Sequence, residues 1–253
     1  GINKMNSRGY SDGATIEPLI RDTAGNADLA SEMVRSLKRE GVEALAGEYH
    51  SVVARSISQV AHELKLPYLC SSAVLDKLID TPSDWVARLP PPQSIGWARY
   101  AEYLCSLGHT QVATLYSDSL YWKQGMKILQ ARLAQYGGNL TAFEYSDPTF
   151  EELRRFLLEG RASSVLLLLG HPSPIVSVLR SLRSDSSLPH ILIGTPAGQS
   201  ELKLWHDELG ALGSSVPFLQ YLPNSLSQIG QTATEKMKLE GCANPSFVYL
   251  EGY

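Results

Sequence analysis

The sequence predicts an α/β protein of two lobes, each built on a parallel sheet flanked by helices. Three observations support this fold class. Short apolar runs alternate with amphipathic helical patterns along nearly the whole chain, which is typical of parallel strands joined by crossover helices. The chain has 253 residues, enough for one large domain or two medium ones. A run of three prolines interrupts the alternation, which then restarts, and this favours two lobes.

The first lobe opens with an apolar run and an amphipathic helix. Residues 15–22, TIEPLIRD, have a strand-like composition. Residues 27–40 place their leucine and methionine side chains on one helical face, and Gly41 follows as a residue that commonly ends helices. The alternation then predicts a strand over 42–47, a helix over 51–65 and a strand over 67–70.

Prolines separate the two lobes. Residues 88–93 read Arg-Leu-Pro-Pro-Pro-Gln, and consecutive prolines neither continue a helix nor donate to a central strand ladder. We therefore expect the chain to cross between the lobes there. A second crossing is expected over residues 215–223, after which a helix over 225–240 returns to the first lobe. Lobe I then comprises residues 1–90 plus 219–253, and lobe II comprises residues 91–218.

The second lobe repeats the alternation of helix and strand. We expect helices over residues 94–107, 121–136, 150–160, 174–183 and 199–209, and strands over residues 111–117, 139–145, 163–170 and 190–194. The unit is repeated in kind but not in sequence, so the pattern indicates two α/β lobes and not a solenoid.

Composition and charge exclude several classes of protein. The net charge is −4 and no segment concentrates Lys or Arg, so nucleic acid is not an expected partner. The longest apolar run, VLLLL at residues 165–169, is far shorter than the roughly 20 residues that span a bilayer, so we expect no membrane span. The first ten residues lack the apolar core of a signal peptide, which fits a cytosolic product or a mature or trimmed chain.

Motifs for catalysis, cofactors and metals are absent from the sequence. There is no G-x-S-x-G elbow, no glycine-rich phosphate loop and no H-E-x-x-H pair, so we expect no catalytic residue, no cofactor and no metal. His50 and Ser51 are neighbours in sequence, which rarely places a hydroxyl and an imidazole in line for nucleophilic catalysis. The three cysteines permit at most one disulfide.

Polar residues follow strands at positions where ligands of open α/β sheets bind. His50 and His171 each come directly after a predicted strand. Ser51 opens the next helix, either as its N-cap or as a ligand contact, and the two roles are compatible because a helix N-terminus offers spare N–H donors to an anion. Ser71 and Ser72 follow the strand at 67–70, and we expect a short helix after them with the same two roles.

Several segments carry a resemblance to a known family. INKMNSRGYSDGATIEPLIRDTAGN resembles the opening I-N-x-x-N-x-x-G-G-x-x-G-x-x-I-E-L-x-x-x-D-T of the branched-chain amino acid type of periplasmic binding proteins. GEYHS is similar to its G-P-x-S-S, PYLCSSAVLDKLID to P-L-I-S-P-S-A-T-S-P-x-L-T-D, and YSDSLYWKQG to Y-D-D-x-x-Y-G-x-G, while FVYLEGY resembles a segment ending in G-Y-D-A. The likeness covers nearly the whole chain.

This resemblance implies the periplasmic-binding-protein type I, or "Venus flytrap", fold: two Rossmann-like lobes with a ligand cleft between them. The family pattern begins with a strand and a helix before Gly1 and continues beyond Tyr253 with further elements and a third crossing. We therefore expect the sequence to be a stretch of a longer protein or to lack pieces of the fold.

The resemblance also places the expected ligand contacts. They are Tyr49, His50, Ser51, Ser72, Ala73, Val74, Tyr121, His171 and Pro196. Within this set, the Ser51 hydroxyl would hold a ligand carboxylate, helped by backbone groups around Ser72 and Val74. Tyr121 would close over the ligand from lobe II, and His171 lies near another aromatic contact of that lobe.

Two departures from the family pattern bear on the ligand. Val74 stands where the family has a threonine, and Pro196 stands near the acid that pairs with an α-ammonium group. A buried ammonium without a carboxylate is costly, so losing that acid disfavours ordinary α-amino acids by a few kcal/mol. We therefore expect a ligand whose carboxylate or polar head is held by Ser51 and Ser72 and whose body is apolar or aromatic, with Asp118 as a candidate replacement acid.

The expected function is binding without chemistry. The resemblance implies an extracellular solute-binding protein that closes on a small organic ligand and delivers it to the membrane permease of an ABC transporter. The alternative is a ligand-sensing domain of a receptor or regulator with the same fold. We expect a monomer or weak dimer in the periplasm or outside the cell, with or without a lipid anchor, and a signal segment outside this chain.

Overall fold

Two compact units make up the chain. The computed structural model describes residues 2, 6–7, 15–145, 150–159, 165–195, 202–213, 216 and 226–241. Unit 1 comprises Gly1–Pro91 and Ser225–Tyr253, and unit 2 comprises Pro92–Asn224. The first boundary therefore falls inside the proline run, where missing N–H groups interrupt regular structure.

Within residues 15–91 and 226–241, unit 1 has a small parallel sheet and three helices. Its described elements are α1 (Ala27–Arg39), β1 (Leu45–Gly47), α2 (Ser51–Glu63), β2 (Tyr68–Cys70), β3 (Val86–Arg88) and α8 (Gln228–Leu239). The strand order is β1-β2-β3, with both pairs parallel. Gly47 is opposite Cys70, so the loops that leave β1 and β2 start side by side.

Helices α1 and α2 form because capping and apolar spacing agree. Asn26 caps α1 by accepting from the N–H groups of Asp28 and Leu29, at 2.9 and 3.0 Å. Ala30, Val34 and Leu37 form the buried stripe of this helix, at the spacing of one helical face. The helix packs on α2, which buries its own stripe that includes Val53, Ala54, Ile57, Val60 and Ala61.

In unit 1, two predicted elements are absent from the structure, one strand was not predicted and another is shorter than expected. Residues 15–22 form no strand: all eight are exposed, and Pro18 has no N–H to give a ladder. No helix follows Ser72, where residues 71–81 form bends and irregular backbone, and Arg88 donates to the Leu75 carbonyl there. Strand β3 was missed because only three residues pair before the prolines, and β1 is shorter than residues 42–47.

Unit 2 has a larger sheet, and all its strand pairs are parallel. Its described elements are α3 (Gln93–Ser106), β4 (Gln111–Ser117), α4 (Leu120–Gln135), β5 (Asn139–Tyr145), α5 (Glu151–Leu158), β6 (Val165–Leu169), α6 (Pro172–Ser184), β7 (Leu192–Gly194) and α7 (Leu202–Leu209), followed by a 3₁₀ turn at Gly210–Gly213. The strand order is β5-β4-β6-β7. Strand β6 is buried at every residue, as expected for a central strand covered on both faces.

The two faces of this sheet carry separate cores. Leu166 and Leu168 of β6 pack with α5, α6 and α7 on one face, and Val165, Leu167 and Leu169 pack with α3 and α4 on the other. This alternation follows from the two-residue period of a strand. Each fully buried leucine contributes about 1.5–3 kcal/mol through removal of its side chain from water.

Most predicted elements of unit 2 agree with the structure. Strands β4 and β5 have the predicted bounds, and the other described elements differ by one to three residues at their ends. Residues 160–164, 196–201, 215 and 217–225 lie outside the described part of the chain, and with them most of the predicted second crossing. No helix among the described residues is long and apolar enough to cross a bilayer.

Candidate functional site

In unit 1 the loops after β1 and β2 are joined by backbone hydrogen bonds. The Ser71 N–H donates to the Gly47 carbonyl at 3.1 Å, and the Ala73 N–H donates to the Glu48 carbonyl at 3.1 Å. These bonds follow from the parallel pairing of the two strands, because the carboxyl ends of parallel neighbours meet at one edge. The residues after Gly47 and those after Cys70, predicted separately as ligand contacts, therefore lie together.

The N-terminus of α2 lies at this edge. Its N-cap is His50, whose side chain makes no capping bond, and the first intrahelical bond runs from the Ala54 N–H to the His50 carbonyl at 2.8 Å. The N–H groups of Ser51, Val52 and Val53 therefore have no acceptor within the helix, and the helix dipole adds partial positive charge. Ser51 is the first helical residue and not the N-cap, which corrects one of its two predicted roles.

The Ser51 side chain is the most suggestive feature of this edge. The residue is 8% exposed, and its hydroxyl forms no hydrogen bond with any residue that the structure describes. A polar group of a ligand at the N-terminus of α2 could bind both this hydroxyl and the spare N–H donors.

Glu48, which is not among the expected ligand contacts, also lies at this edge. Its backbone has a φ of +92°, an uncommon region for a residue with a side chain. One carboxylate oxygen, Oε1, accepts from the N–H groups of Tyr49 and His50, each at 2.9 Å, and Oε2 accepts from the Thr23 hydroxyl at 3.2 Å. The available signal was an acidic residue just before a helix start, a position where carboxylates are stabilised.

Tyr49 and His50 form an aromatic pair beside this carboxylate. Their rings meet edge to face with centroids 5.5 Å apart. A methyl group at Gly25 would lie 3.7 Å from the His50 ring, so this ring packs against the turn that precedes α1. Both residues are exposed, which leaves part of each ring open to a ligand.

The loop after β2 offers fewer donors than expected. Ala73 is buried, and its N–H is already used by the Glu48 carbonyl. Ser72 and Val74 are half-buried, and the Ser72 hydroxyl lies 3.4 Å from that of Ser71. Because no helix starts here, the spare donors predicted around Ser72 and Val74 are not provided by a helix N-terminus.

In unit 2 the corresponding edge contains a topological switch point. From β4 the chain goes first to β5 on one side and then to β6 on the other. Ligands of open α/β sheets bind where the strand order reverses in this way. A methyl group at Gly170, just after β6, would lie 2.5 Å from the Ser117 hydroxyl at the end of β4, so the loops after β4 and β6 start in close contact.

Aromatic side chains gather at this switch point. Tyr121 and Trp122 at the start of α4 have ring centroids 4.7 Å apart, and Trp122 lies 6.4 Å from the ring of His171, the N-cap of α6. Trp97 from α3 lies 6.3 Å from both Tyr121 and Trp122. Tyr121 and His171, predicted from separate segments, are thus linked through the buried Trp122.

The acids near this edge already have partners. Asp118 forms an ion pair with Lys123 at 2.7 Å, and Lys123 also lies 3.5 Å from Glu144. The hydrogen bond with Asp118 raises the pKa of Lys123 above its usual value. Asp118 could bind a ligand ammonium only in competition with Lys123. Pro196, the position of the family acid, lies outside the described residues.

Metal chemistry has no visible basis at either edge. Across the described ranges, no three His, Cys, Asp or Glu side chains come together as a metal site would require. The described features of the two edges are hydroxyls, backbone donors, aromatic rings and carboxylates that already have partners, which suit reversible recognition of a small polar molecule.

Comparison with known sequences and structures gives a consistent result. A family profile described as periplasmic binding protein matches residues 1–245. The leucine-binding protein LivK of Thermotoga maritima has a TM-score of 0.80 at 17% identity, covering 99% of this chain and 72% of that one. LivJ of Streptococcus pneumoniae, solved with isoleucine, has a TM-score of 0.79 at 18% identity, with 99% and 72% covered.

Two further similarities concern other ligands and other proteins. A solute-binding protein of an ABC transporter from R. palustris, solved with benzoate, has a TM-score of 0.77 at 14% identity, covering 98% of this chain and 69% of that one. Metabotropic glutamate receptor 6 of Rattus norvegicus is 25% identical over 216 residues, which is 78% of this chain and 25% of the receptor. The chain thus spans about a quarter of the length of this curated relative.

Proposed function

The chain belongs to the periplasmic binding protein family, and on that premise we propose that it is a solute-binding protein that captures a small organic ligand for an ABC transporter. The ligand has a carboxylate or other polar head and an apolar or aromatic body. Isoleucine and benzoate, the ligands in two of the similar structures, share these two features.

The observation that carries the proposal is the set of hydrogen-bond donors at the N-terminus of α2. The hydroxyl of Ser51, a residue that is 8% exposed, and the N–H groups of residues 51–53 are donors without an acceptor among the described residues of the helix. A ligand carboxylate or carbonyl accepts from such donors, and the helix dipole stabilises negative charge there. This edge holds the polar head.

The aromatic cluster of unit 2 suits the body of the ligand. Tyr121 and His171 lie at the switch point of the sheet, supported by the buried Trp122. Aromatic rings contribute large contact areas with little loss of side-chain freedom on binding. We propose that the two units close on the ligand, so that the closed form is stabilised only when contacts from both are made together.

The partner and location follow from the family. A solute-binding protein of this kind hands its ligand to the permease of an ABC transporter, in the periplasm or outside the cell. The similar proteins from Thermotoga maritima, Streptococcus pneumoniae and R. palustris support this proposal, since they are described as amino acid or solute binding proteins.

Ligand sensing is the second candidate function. It is favoured by the similarity to metabotropic glutamate receptor 6, which extends over 78% of this chain. In a sensor the same closure would change the contact with an output domain and not deliver the ligand. Uptake of the identified ligand by cells with and without the protein separates the two: loss of uptake favours transport, and unchanged uptake with a lost response favours sensing.

The binding proposal is tested by thermal-shift screening followed by a matched pair of variants. Aliphatic acids, aromatic acids and amino acids are screened, because a ligand that binds the folded form raises Tm. Ser51→Ala should then lower the affinity for the best ligand about tenfold, because one hydrogen bond to a charged group is lost. Ser58→Ala is the control, since this buried serine of the same helix donates to the Ala54 carbonyl at 2.7 Å and should leave affinity unchanged.

Two results would contradict the proposal. Equal affinity of the wild type and Ser51→Ala would remove Ser51 from the site. Steady consumption of the ligand during incubation, abolished in Ser51→Ala, would indicate an enzyme in place of a binding protein.

A further inference from the structure

The Glu48 carboxylate occupies donors that would otherwise face a ligand. The Tyr49 and His50 N–H groups, which lead into α2, both donate to its Oε1 at 2.9 Å, while the Thr23 hydroxyl donates to Oε2 at 3.2 Å. An anion-binding turn of this type normally accepts an external carboxylate or phosphate. Here the chain supplies its own anion.

A second group of donors remains next to this built-in anion. Ser51 is more than nine-tenths buried, its hydroxyl has no partner among the described residues, and it follows His50 directly. A ligand oxygen that binds this hydroxyl and the N–H groups of residues 51–53 therefore lies close to the Glu48 carboxylate. If that oxygen belongs to a simple anion, the two negative charges repel each other.

Among the described residues of unit 1, Glu48 has no cationic partner. No Lys or Arg in the described part of this unit forms an ion pair with it, although Arg21, Arg35 and Arg55 pair with other acids. Asp118 of unit 2 differs, because Lys123 lies 2.7 Å away. A carboxylate has about four lone-pair positions, and the hydrogen bonds to Glu48 use three, which leaves one for a donor on the ligand.

We propose that Glu48 sets the charge selectivity of the ligand site. Its carboxylate disfavours ligands that are purely anionic and favours those that carry a positively charged nitrogen beside the oxygen bound at Ser51. This inference rests on the proposed function and refines its ligand class. It opposes the expectation drawn from Pro196, because Glu48 provides a negative charge beside Ser51. The ligands of two similar proteins differ in this respect, because isoleucine has an amino group beside its carboxylate and benzoate does not.

Matched pairs of ligands with and without the amino group test the proposal. The probes are L-isoleucine with 3-methylpentanoate and L-phenylalanine with 3-phenylpropanoate, titrated calorimetrically into the full chain. The wild type should bind the amino member of a pair at least about tenfold more tightly, a difference of ~1.4 kcal/mol. Glu48→Gln keeps an oxygen that accepts from the Tyr49 and His50 N–H groups but removes the charge. Glu48→Gln should reduce this ratio of affinities about tenfold, because the amino acid should bind more weakly and the simple acid more tightly.

Glu43→Gln is the matched control. Glu43 is exposed and precedes β1, whereas Glu48 follows it, so the control removes the same charge from the opposite end of the same strand. The ratio of its affinity for the amino acid to its affinity for the matched simple acid should equal that of the wild type. Circular dichroism and Tm establish that each variant is folded.

The outcomes separate failure of the inference from failure of the proposed function. If a ligand binds at Ser51 but its pair ratio does not change in Glu48→Gln, or if the wild type prefers the simple acid, the inference is overturned and the binding function stands. If no member of either pair binds to the wild type or to Glu48→Gln, both are overturned. A ratio that changes equally in Glu43→Gln also overturns the inference, because the effect would then be one of net charge.

Discussion

At the scale of single residues, Gly125 determines how closely α3 and α4 approach. A methyl group at this position would lie 2.5 Å from Nε1 of Trp97, a contact that real structures do not make. Gly125→Ala must therefore displace the indole, at a cost of about 1–3 kcal/mol that exceeds the roughly 1 kcal/mol gain in helix propensity. We expect the free energy of unfolding to fall by about 1–2 kcal/mol in denaturant titrations.

Gly96→Ala is the control, for which we expect a change in the free energy of unfolding of the opposite sign. Gly96 lies in α3, next to Trp97, and a methyl group there would meet nothing within 4 Å. The substitution should stabilise the chain by up to about 1 kcal/mol through helix propensity alone. If both variants were stabilised equally, close packing of Trp97 against Gly125 would not explain the need for glycine at that position.

The positions of the expected ligand contacts were predictable only where strand ends fixed them. The loops that carry Ser51 and His171 follow strands with clear apolar patterns, and the structure places both residues at carboxyl edges of sheets. Glu48 was missed because its role depends on a backbone φ of +92°, which turns the carboxylate back onto its own loop. Sequence pattern does not report a local conformation of that kind.

At the scale of elements, the start of α1 depends on a single cap. Asn26 accepts from two backbone N–H groups of the first turn and has an extended backbone, with φ of −102° and ψ of 121°. Asn26→Ala removes both bonds and should lower the free energy of unfolding by about 1 kcal/mol. Asn26→Gly, which exposes the same N–H groups to water, should cost only a few tenths of a kcal/mol. Equal losses in chemical denaturation would show that the side-chain bonds are not the cause.

Element predictions were reliable where periodicity and length agreed. Strands β4 and β5 have seven residues each and were predicted with their observed bounds. Residues 15–22 have an apolar composition, but Pro18 and full exposure exclude them from a sheet, so composition alone was misleading. Strand β3 is three residues long and exists only through its pairing with β2, a tertiary contact that a window of sequence does not contain.

At the scale of the whole molecule, the two units differ in how the chain builds them. Unit 2 is one continuous segment, Pro92–Asn224, whereas unit 1 combines Gly1–Pro91 with Ser225–Tyr253. The two-lobe α/β class was predictable from the rhythm of strands and helices, and the family match over residues 1–245 confirms the family expected from the motifs. The position of the Glu48 carboxylate was not predictable at this scale, because it depends on the conformation of one loop.

Unit 2 should therefore fold when expressed alone as residues 92–224. It is about 130 residues long, within the usual size of an independent domain, and both faces of its four-stranded sheet are covered by cores drawn from its own helices. We expect a cooperative thermal transition monitored by circular dichroism. Leu167→Asp, which buries a charge in the central strand, should abolish that transition, while Leu158→Asp at an exposed helix position should retain it. A non-cooperative melt of the unmodified segment would mean that its core requires unit 1 for stability.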